Sequence, residues 1–236
     1  MQTAAQLVHR FTEIQQAIEQ ACRQSSRQEK DVSVMAVTKY AADEDVLTLL
    51  DTGLIKHIGE SRVQQAVKRW TQPSFAKHHV VKHFIGHLQS NKAAQAAKLF
   101  DFIDSIDNIQ IAQALDLQAR KLHKTLYVLL QIKLTHKESQ SGLSLETAPQ
   151  LLKQLASLQH IRPCGYMAIA PQTEDKALLH ALFSQVRQAF ERDFPVGNGP
   201  RYLSLGMSED FAIAVQEGST LPRIGSKLFA QDLEEL

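Results

Sequence analysis

The hydrophobic positions of this chain alternate between short apolar runs and longer stretches of helical periodicity. The run from Val32 to Val37 is largely apolar and β-branched, stops at Thr38-Lys39, and is followed by acidic residues that open a helix. A short run of this kind, with a helix start beyond it, is typical of a buried parallel strand. Further runs predict strands at about 56–59, 82–86, 102–106, 126–132, 164–168, 202–205 and 222–225.

Helical stretches follow every predicted strand but the last, at about 43–52, 60–70, 91–99, 108–123, 145–158, 173–192 and 209–217. This alternation predicts an α/β fold, a (β/α)8 TIM barrel. An open doubly wound sheet is the alternative, although it usually has fewer strands and a glycine-rich turn after the first. Apolar residues at helical spacing predict one extra helix before the barrel, at about 3–27. We expect a single domain over 1–236, with the barrel at about 31–230.

Charge, cysteine content and the N-terminus exclude several classes of partner. The chain has 236 residues, with 26 Lys and Arg against 25 Asp and Glu and no basic stripe, so nucleic acid is not expected to bind. Two distant cysteines, Cys22 and Cys164, are typical of a reduced compartment. The N-terminus has no signal-peptide pattern, and no apolar segment reaches membrane-spanning length. We therefore expect a cytoplasmic protein with no membrane partner.

The histidines do not form a metal-binding pattern. His78 and His79 are adjacent and cannot easily converge on one ion. His83 and His87 straddle a strand end without the helical geometry of a zinc pair. No metal is expected.

Lys39 stands at the end of the first predicted strand, and the carboxyl ends of strands are where barrels gather their chemistry. An amine that is partly withdrawn from water there is a usable nucleophile, and its natural product with an aldehyde or ketone is a Schiff base. A lysine that extends from the strand end into water is the alternative interpretation.

The loops after strands seven and eight often bind phosphate in barrels. Met207-Ser208 follows the seventh strand and opens a helix, and Gly225-Ser226 follows the eighth. Hydroxyls and closely approaching backbone amides suit an anion at both places, although an N-cap and a tight turn would look the same. Arg223 precedes Gly225 by two residues, so the two face the same side of the strand. If that side is the barrel mouth, a guanidinium points to the ligand; an ion pair with a neighbouring element is the alternative.

Several blocks occur in an order that resembles a known family. They are Val37-Thr38-Lys39, Gly59-Glu60-Ser61-Arg62-Val63-Gln64, His83-Phe84-Ile85-Gly86-His87-Leu88-Gln89-Ser90-Asn91-Lys92, Gly165-Tyr166-Met167-Ala168, Leu203-Ser204-Leu205-Gly206-Met207-Ser208 and Arg223-Ile224-Gly225-Ser226. Together they resemble the pyridoxal phosphate homeostasis proteins, also called proline synthase co-transcribed homologues. The resemblance runs from about 32 to 229 and implies a barrel like the N-terminal domain of alanine racemase, with pyridoxal 5′-phosphate (PLP) at its mouth.

The resemblance also implies which residues bind the cofactor. Lys39 would form the internal aldimine, and Arg223 would lie near the pyridine nitrogen and weaken the ring as an electron sink. The cofactor-binding set predicted in this way is Lys39, Ser61, His83, Met207, Ser208, Arg223, Gly225 and Ser226, with Ser208, Gly225 and Ser226 at the phosphate. Three positions depart from the family pattern, because Ser61 replaces a usual asparagine, His87 a common proline and Gln140 a common lysine.

The resemblance implies a binding protein without catalysis. Racemisation needs acid and base groups on both faces of the substrate, and in alanine racemase the second comes from an added domain, for which a chain ending at Leu236 has no room. Tyr40, Tyr166 and Tyr202 could approach the site only if their loops allow it. We therefore expect a monomer that carries and buffers PLP, maintains vitamin B6 and amino-acid balance, and has PLP-dependent apo-enzymes as candidate partners.

Two enzymatic alternatives remain open from the sequence. The first is a weak PLP-dependent racemase or lyase that uses Lys39 as its base. The second is a class I aldolase, also a barrel with a Schiff-base lysine but without a cofactor. Aldolase lysines tend to lie on later strands, and no acidic cluster neighbours Lys39.

Overall fold

Eight parallel strands form one sheet that curls into a barrel, with the strand order β7-β6-β5-β4-β3-β2-β1-β8. The structure is a computed structural model and describes residues 2–135, 141–197 and 199–230. The strands are β1 Met35–Val37, β2 His57–Glu60, β3 Val81–Phe84, β4 Phe102–Ile106, β5 Leu126–Lys133, β6 Ile161–Ile169, β7 Tyr202–Ser204 and β8 Arg223–Ile224. The predicted (β/α)8 TIM barrel is confirmed.

The helices of the described residues surround this barrel. They are α1 Ala4–Gln24, α2 Asp43–Asp51, α3 Val63–Trp70, α4 Pro73–Ala76, α5 Ala93–Leu99, α6 Ile109–Lys121, α7 Ala148–Leu155, α8 Lys176–Asp193, α9 Phe211–Gln216 and α10 Ser226–Phe229. Short 3-10 turns occur at Glu29–Asp31 and Ser90–Lys92. Within the described ranges, no helix combines the length and the apolar character needed to cross a lipid bilayer.

The predicted extra helix is α1, and it begins with a capping box in which Thr3 and Gln6 bond each other's backbone amides. Its apolar face is buried and packs across α2, α9 and α10. Just beyond α1, Arg27 donates to the carbonyls of Val215 and Ser219. The N-terminal segment therefore supports the side of the barrel where β7, β8 and β1 meet.

Alternating residues of the strands face the helices or the barrel interior. The outward residues join one large core with the helices, and the largest of them, such as Phe84 and Tyr166, are fully buried. The inward residues Phe102, Leu129, Cys164 and Met167 form a separate apolar layer inside the barrel. Cys164 is thus a packed interior residue, and burial raises the pKa of its thiol far above the usual range.

The gap between β7 and β8 is closed by individual hydrogen bonds. Thr220 N donates to Leu203 O at 2.9 Å, and Arg223 N donates to Gly206 O at 3.0 Å. Ser204 Oγ adds a bond of 2.9 Å to Leu221 O. Both strands are only a few residues long, so these bonds replace a regular ladder and satisfy the polar groups at the seam.

The predicted boundaries differ by a few residues at several elements, such as β1, which begins at Met35 and not at Val32. Glu60 is the last residue of β2 and not the start of the next helix, which begins at Val63. Strand β6 begins at Ile161, three residues before the predicted start, although Pro163 and Gly165 read as strand breakers. Both residues are tolerated because the register between β5 and β6 shifts at that point, where a bulge interrupts the ladder.

Candidate functional site

A cavity of about 550 Å³ opens at the C-terminal mouth of the barrel. This volume lies within the range of small-ligand sites, roughly 300–1,000 Å³. Six of the predicted residues line it: Lys39, Met207, Ser208, Arg223, Gly225 and Ser226. The apolar part of the wall comes from other elements and includes Val37, Ile85, Pro171, Leu179 and Phe229. The structure therefore brings residues from β1, β8 and the loops after β7 and β8 to one place.

Lys39 lies two residues beyond β1, in a turn and not on the strand itself. Its side chain is half-buried, and Nζ lies 5.1 Å from the centre of the Tyr40 ring. Among the described residues, no carboxylate lies within ion-pair distance of Nζ. Tyr40 is 80% exposed and stands beside the amine at the rim of the cavity. The amine is thus available to a ligand that enters from solvent.

The loops after β7 and β8 meet at the wall of the same cavity. Ser208 is 7% exposed, and its hydroxyl accepts the backbone amide of Lys227 at 3.2 Å, so the two loops are joined directly. Asp210 accepts the Met207 amide at 2.6 Å and fixes the first loop. Within the described ranges, the backbone amides of Ser208 and Ser226 donate to no protein acceptor. These two amides and two hydroxyls offer a set of donors suited to a phosphate.

Glycine is required at Gly206, and a larger residue at Gly225 would be tightly packed. Gly206 has a φ of +84°, and a Cβ there would come within 2.7 Å of Phe211 Cα. At Gly225 a Cβ would meet the Val37 carbonyl at 3.3 Å, closer than most real contacts. The missing side chains let the two loops approach β1 and α9.

Arg223 is buried at the floor of the cavity. Its Nη1 donates to Ser204 O at 2.7 Å and Ser204 Oγ at 2.8 Å, while Nη2 donates to Ala168 O at 2.8 Å. Burial lowers the pKa of the guanidinium to about 10, an effect opposed by the charges of Asp104 and Asp210. Arg223 is therefore still cationic at neutral pH, and its N–H groups not used in these bonds remain for a ligand.

Ser61 and His83 do not reach the cavity wall. Ser61 follows β2, and its backbone packs closely against Gly86. His83 is fully buried inside the barrel, where its ring bonds His57 at 3.0 Å and the carboxylate of Asp104 at 3.0–3.1 Å. Gln140, the third departure from the family pattern, lies outside the described residues. For Ser61 and His83 we propose no ligand contact in this cavity.

The histidine pair predicts an acid-sensitive fold. Burial, and then the charges of His83 and Lys56, lower the pKa of His57 from 6.5 to about 4. The unfolded chain therefore binds a proton between pH 6.5 and 4 that the folded chain does not, so stability is lost as pH falls through this window. We expect His57 to account for a loss on the order of 3 kcal/mol between pH 7 and 4.

Urea unfolding of the wild type and of His57→Gln at pH 7.0 and 4.5 measures this loss. The variant should lose clearly less unfolding free energy between the two pH values, because glutamine keeps a hydrogen-bonding group without a titrating ring. Equal losses in both proteins would contradict the assignment to His57.

The sequence did not reveal how the Lys39 turn is supported. Glu60, 2% exposed, accepts Thr38 Oγ1 at 2.7 Å and Arg69 Nη1 at 2.9 Å through one carboxylate oxygen. Trp70 Nε1 approaches the same oxygen at 3.3 Å. The sequence placed Glu60 at a helix start, and its partners come from the turn after β1 and from α3, which only the fold brings together around it.

The residues present fit PLP. Its phosphate matches the serine and amide donors of the two loops, and its aldehyde matches the Lys39 amine in the same cavity. Apolar residues of the cavity wall, among them Val37 and Leu179, suit the flat face of a ring.

Comparison with known proteins decides the family. A family model described as the alanine racemase N-terminal domain matches residues 13–232. The pyridoxal phosphate homeostasis protein of Pasteurella multocida is 36% identical over 228 residues, which cover 93% of this chain and 94% of that relative. The chain belongs to the pyridoxal phosphate homeostasis protein family. The resemblance predicted from the sequence motifs is thereby confirmed.

Solved structures agree with this membership. PipY of Synechococcus elongatus, a similar protein, has been solved with PLP bound. It is 32% identical with a TM-score of 0.76, and the match covers 90% of this chain and 99% of PipY. An alanine racemase of Clostridium difficile has a TM-score of 0.71 at 14% identity, and the match covers 98% of this chain and 57% of the racemase. The second likeness shows the fold alone.

Proposed function

We propose that this protein binds PLP in the cavity at the barrel mouth, holds it covalently on Lys39 and releases it to PLP-dependent apo-enzymes. It thereby buffers the cofactor and maintains vitamin B6 and amino-acid balance. The observation that supports this most is the meeting of Lys39 with Ser208 and Ser226 in one cavity. The relatives named pyridoxal phosphate homeostasis proteins and the PipY structure with PLP bound support the same proposal.

PLP supplies an aldehyde that condenses with an amine. Lys39 Nζ would hold the cofactor by condensing with this aldehyde, with a C=N bond in place of C=O and the loss of one water. Hydrolysis by water would release the cofactor again, so loading and release on Lys39 would need no oxidant and no second substrate. Arg223 lies at the cavity floor as a cation, and next to the ring nitrogen it would disfavour protonation of that nitrogen.

We propose further that the protein does not turn over amino acids. Of its four tyrosines, only Tyr40 lines the cavity. Tyr166 faces the outer helices and donates to Asp193 at 2.6 Å, and Tyr202 packs inside the barrel against His57 and Phe102. A tyrosine that is fixed over the second face of a substrate is therefore missing from the described part of the cavity.

The phosphate contacts predict a selective loss. In Ser226→Ala, PLP should bind about tenfold or more weakly, because a hydrogen bond to a charged group contributes about 1.5–3 kcal/mol. Pyridoxal, which lacks the phosphate, should bind equally to the variant and the wild type. Spectroscopic titration of both proteins with both ligands measures the difference, and an equal loss for both ligands would place Ser226 away from the phosphate.

A transfer assay separates a carrier from an enzyme. The PLP-loaded protein is mixed with an apo-aminotransferase, and recovery of aminotransferase activity is followed in time. A parallel sample is incubated with L-amino acids and analysed for D-enantiomers and for loss of the amino acid. The proposal predicts recovery of the apo-enzyme without turnover, whereas racemisation or amino-acid loss that depends on Lys39 would establish the weak racemase or lyase.

A further inference from the structure

The turn that holds Lys39 has few bonds of its own. Strand β1 ends at Val37, and the next residues run through a turn to α2. Thr38 N donates to Gly59 O at 3.1 Å, and Ala41 N donates back to Thr38 O at 3.1 Å. Within the described ranges, the backbone amides of Lys39 and Tyr40 donate to no acceptor. The reactive lysine is therefore not fixed by the sheet.

The side chain of Arg69 holds this turn in place of the sheet. This residue lies in the last turn of α3, and its side chain is 12% exposed. It donates to Thr38 O at 2.8 Å through Nη1 and to Ala41 O at 2.7 Å through Nη2. These two carbonyls stand on either side of Lys39-Tyr40. One planar guanidinium thus holds both ends of the turn.

The guanidinium is itself fixed by two carboxylates. Nη1 also donates to Glu60 Oε1 at 2.9 Å, and Nε donates to Asp43 Oδ1 at 2.7 Å. Arg69 therefore uses four of its five N–H groups, on acceptors from the turn after β1, from β2 and from α2. A lysine ammonium is a single point with three donors and cannot span this set of acceptors in the same plane.

From this geometry we infer that Arg69 is a positioning residue for Lys39. It holds the 38–41 turn so that the Lys39 amine points into the cavity, where the cofactor aldehyde would lie. Arg69 is not part of the cavity wall, so it acts through Lys39 and not through a ligand contact. This inference rests on the proposed function, since it names the residue that prepares Lys39 for PLP.

Arg69→Lys in two backgrounds tests the inference. In the protein that retains Lys39, we expect the Schiff-base absorbance to appear about 10- to 100-fold more slowly. A small displacement of a reacting group lowers the reaction rate by about this factor. The equilibrium affinity for PLP should also fall. In the Lys39→Ala background, where PLP is held only by its phosphate and ring, Arg69→Lys should leave the affinity unchanged within about twofold. Lys68→Gln, an exposed neighbour on α3, is the control.

The outcomes are distinct. An equal loss of affinity in both backgrounds, or no loss in either, would overturn the positioning role. If Lys39→Ala itself changes neither absorbance nor affinity, the proposed covalent link is wrong. In that case, hydrogen exchange of the ligand-free protein tests whether Arg69 holds the 38–41 turn. Faster exchange confined to the amides of residues 39–42 in Arg69→Lys supports the inference, and unchanged exchange overturns it. If Arg69→Lys does not fold, the same comparisons are made with the double variant Arg69→Met with Glu60→Gln. This variant removes both charges together.

Discussion

Lys39→Ala is expected to abolish the visible absorbance that PLP produces in the wild-type protein. Alanine has no amine, so no C=N bond can form at this position, while the phosphate donors at Ser208 and Ser226 are unchanged. PLP should still bind to the variant, but weakly and without the band of the Schiff base. Absorbance titration combined with ultrafiltration measures colour and binding separately in one sample.

Lys133→Ala is the matched control for this variant. Lys133 is the last residue of β5, another strand-end lysine at the same rim of the barrel, and it does not line the cavity. Its removal should leave the band and the affinity unchanged. A Lys39→Ala protein that keeps the full band would show that another amine reacts, and the assignment of Lys39 would be wrong.

Glu60→Ala is expected to destabilise the fold by about 3–5 kcal/mol, the usual cost of removing one partner of a buried ion pair. The variant leaves the Arg69 guanidinium without its buried carboxylate and removes the acceptor of Thr38 and Trp70. Because the same carboxylate supports the Lys39 turn, formation of the Schiff base should also slow down. Urea unfolding followed by circular dichroism gives the first effect, and absorbance kinetics give the second.

Asp43→Ala removes the other carboxylate partner of Arg69, and its loss of stability can be compared with that of Glu60→Ala. Asp43 also pairs with Arg69, at 2.7 Å, but its side chain is 41% exposed, against 2% for Glu60. An exposed pair contributes little, so this variant should lose less than about 1 kcal/mol. Similar losses for the two variants would contradict the view that burial of Glu60 decides its contribution.

Much of the barrel could be predicted because its signals are local. Each strand is a short apolar run and each helix an amphipathic stretch, so the eight strands and the seven helices that follow them were visible without tertiary information. The positions of Lys39, Arg223 and Gly225 at one rim follow from strand alternation and from the rule that parallel strands end together. The boundaries of β6 were missed because a bulge, which is a property of two paired strands, accommodates Pro163 and Gly165.

The support of the site could not be predicted, because it depends on contacts between distant elements. Glu60 resembled a helix start in the sequence, and only the approach of Thr38 and Arg69 makes it a buried ion-pair partner at the end of β2. His83 was placed at the cofactor by its motif, but its ring turns to His57 and Asp104 inside the barrel. A motif therefore located the neighbourhood of the site, and side-chain direction decided which residues line it.

Borohydride reduction followed by peptide mass mapping tests the central proposal most directly. The wild-type protein is incubated with PLP, reduced and digested, so that any Schiff base becomes a stable adduct at the lysine that formed it. We predict one adduct per chain, on the peptide that contains Lys39. An adduct on Lys227 near the phosphate loops, a spread over surface lysines, or no adduct at all would contradict the account.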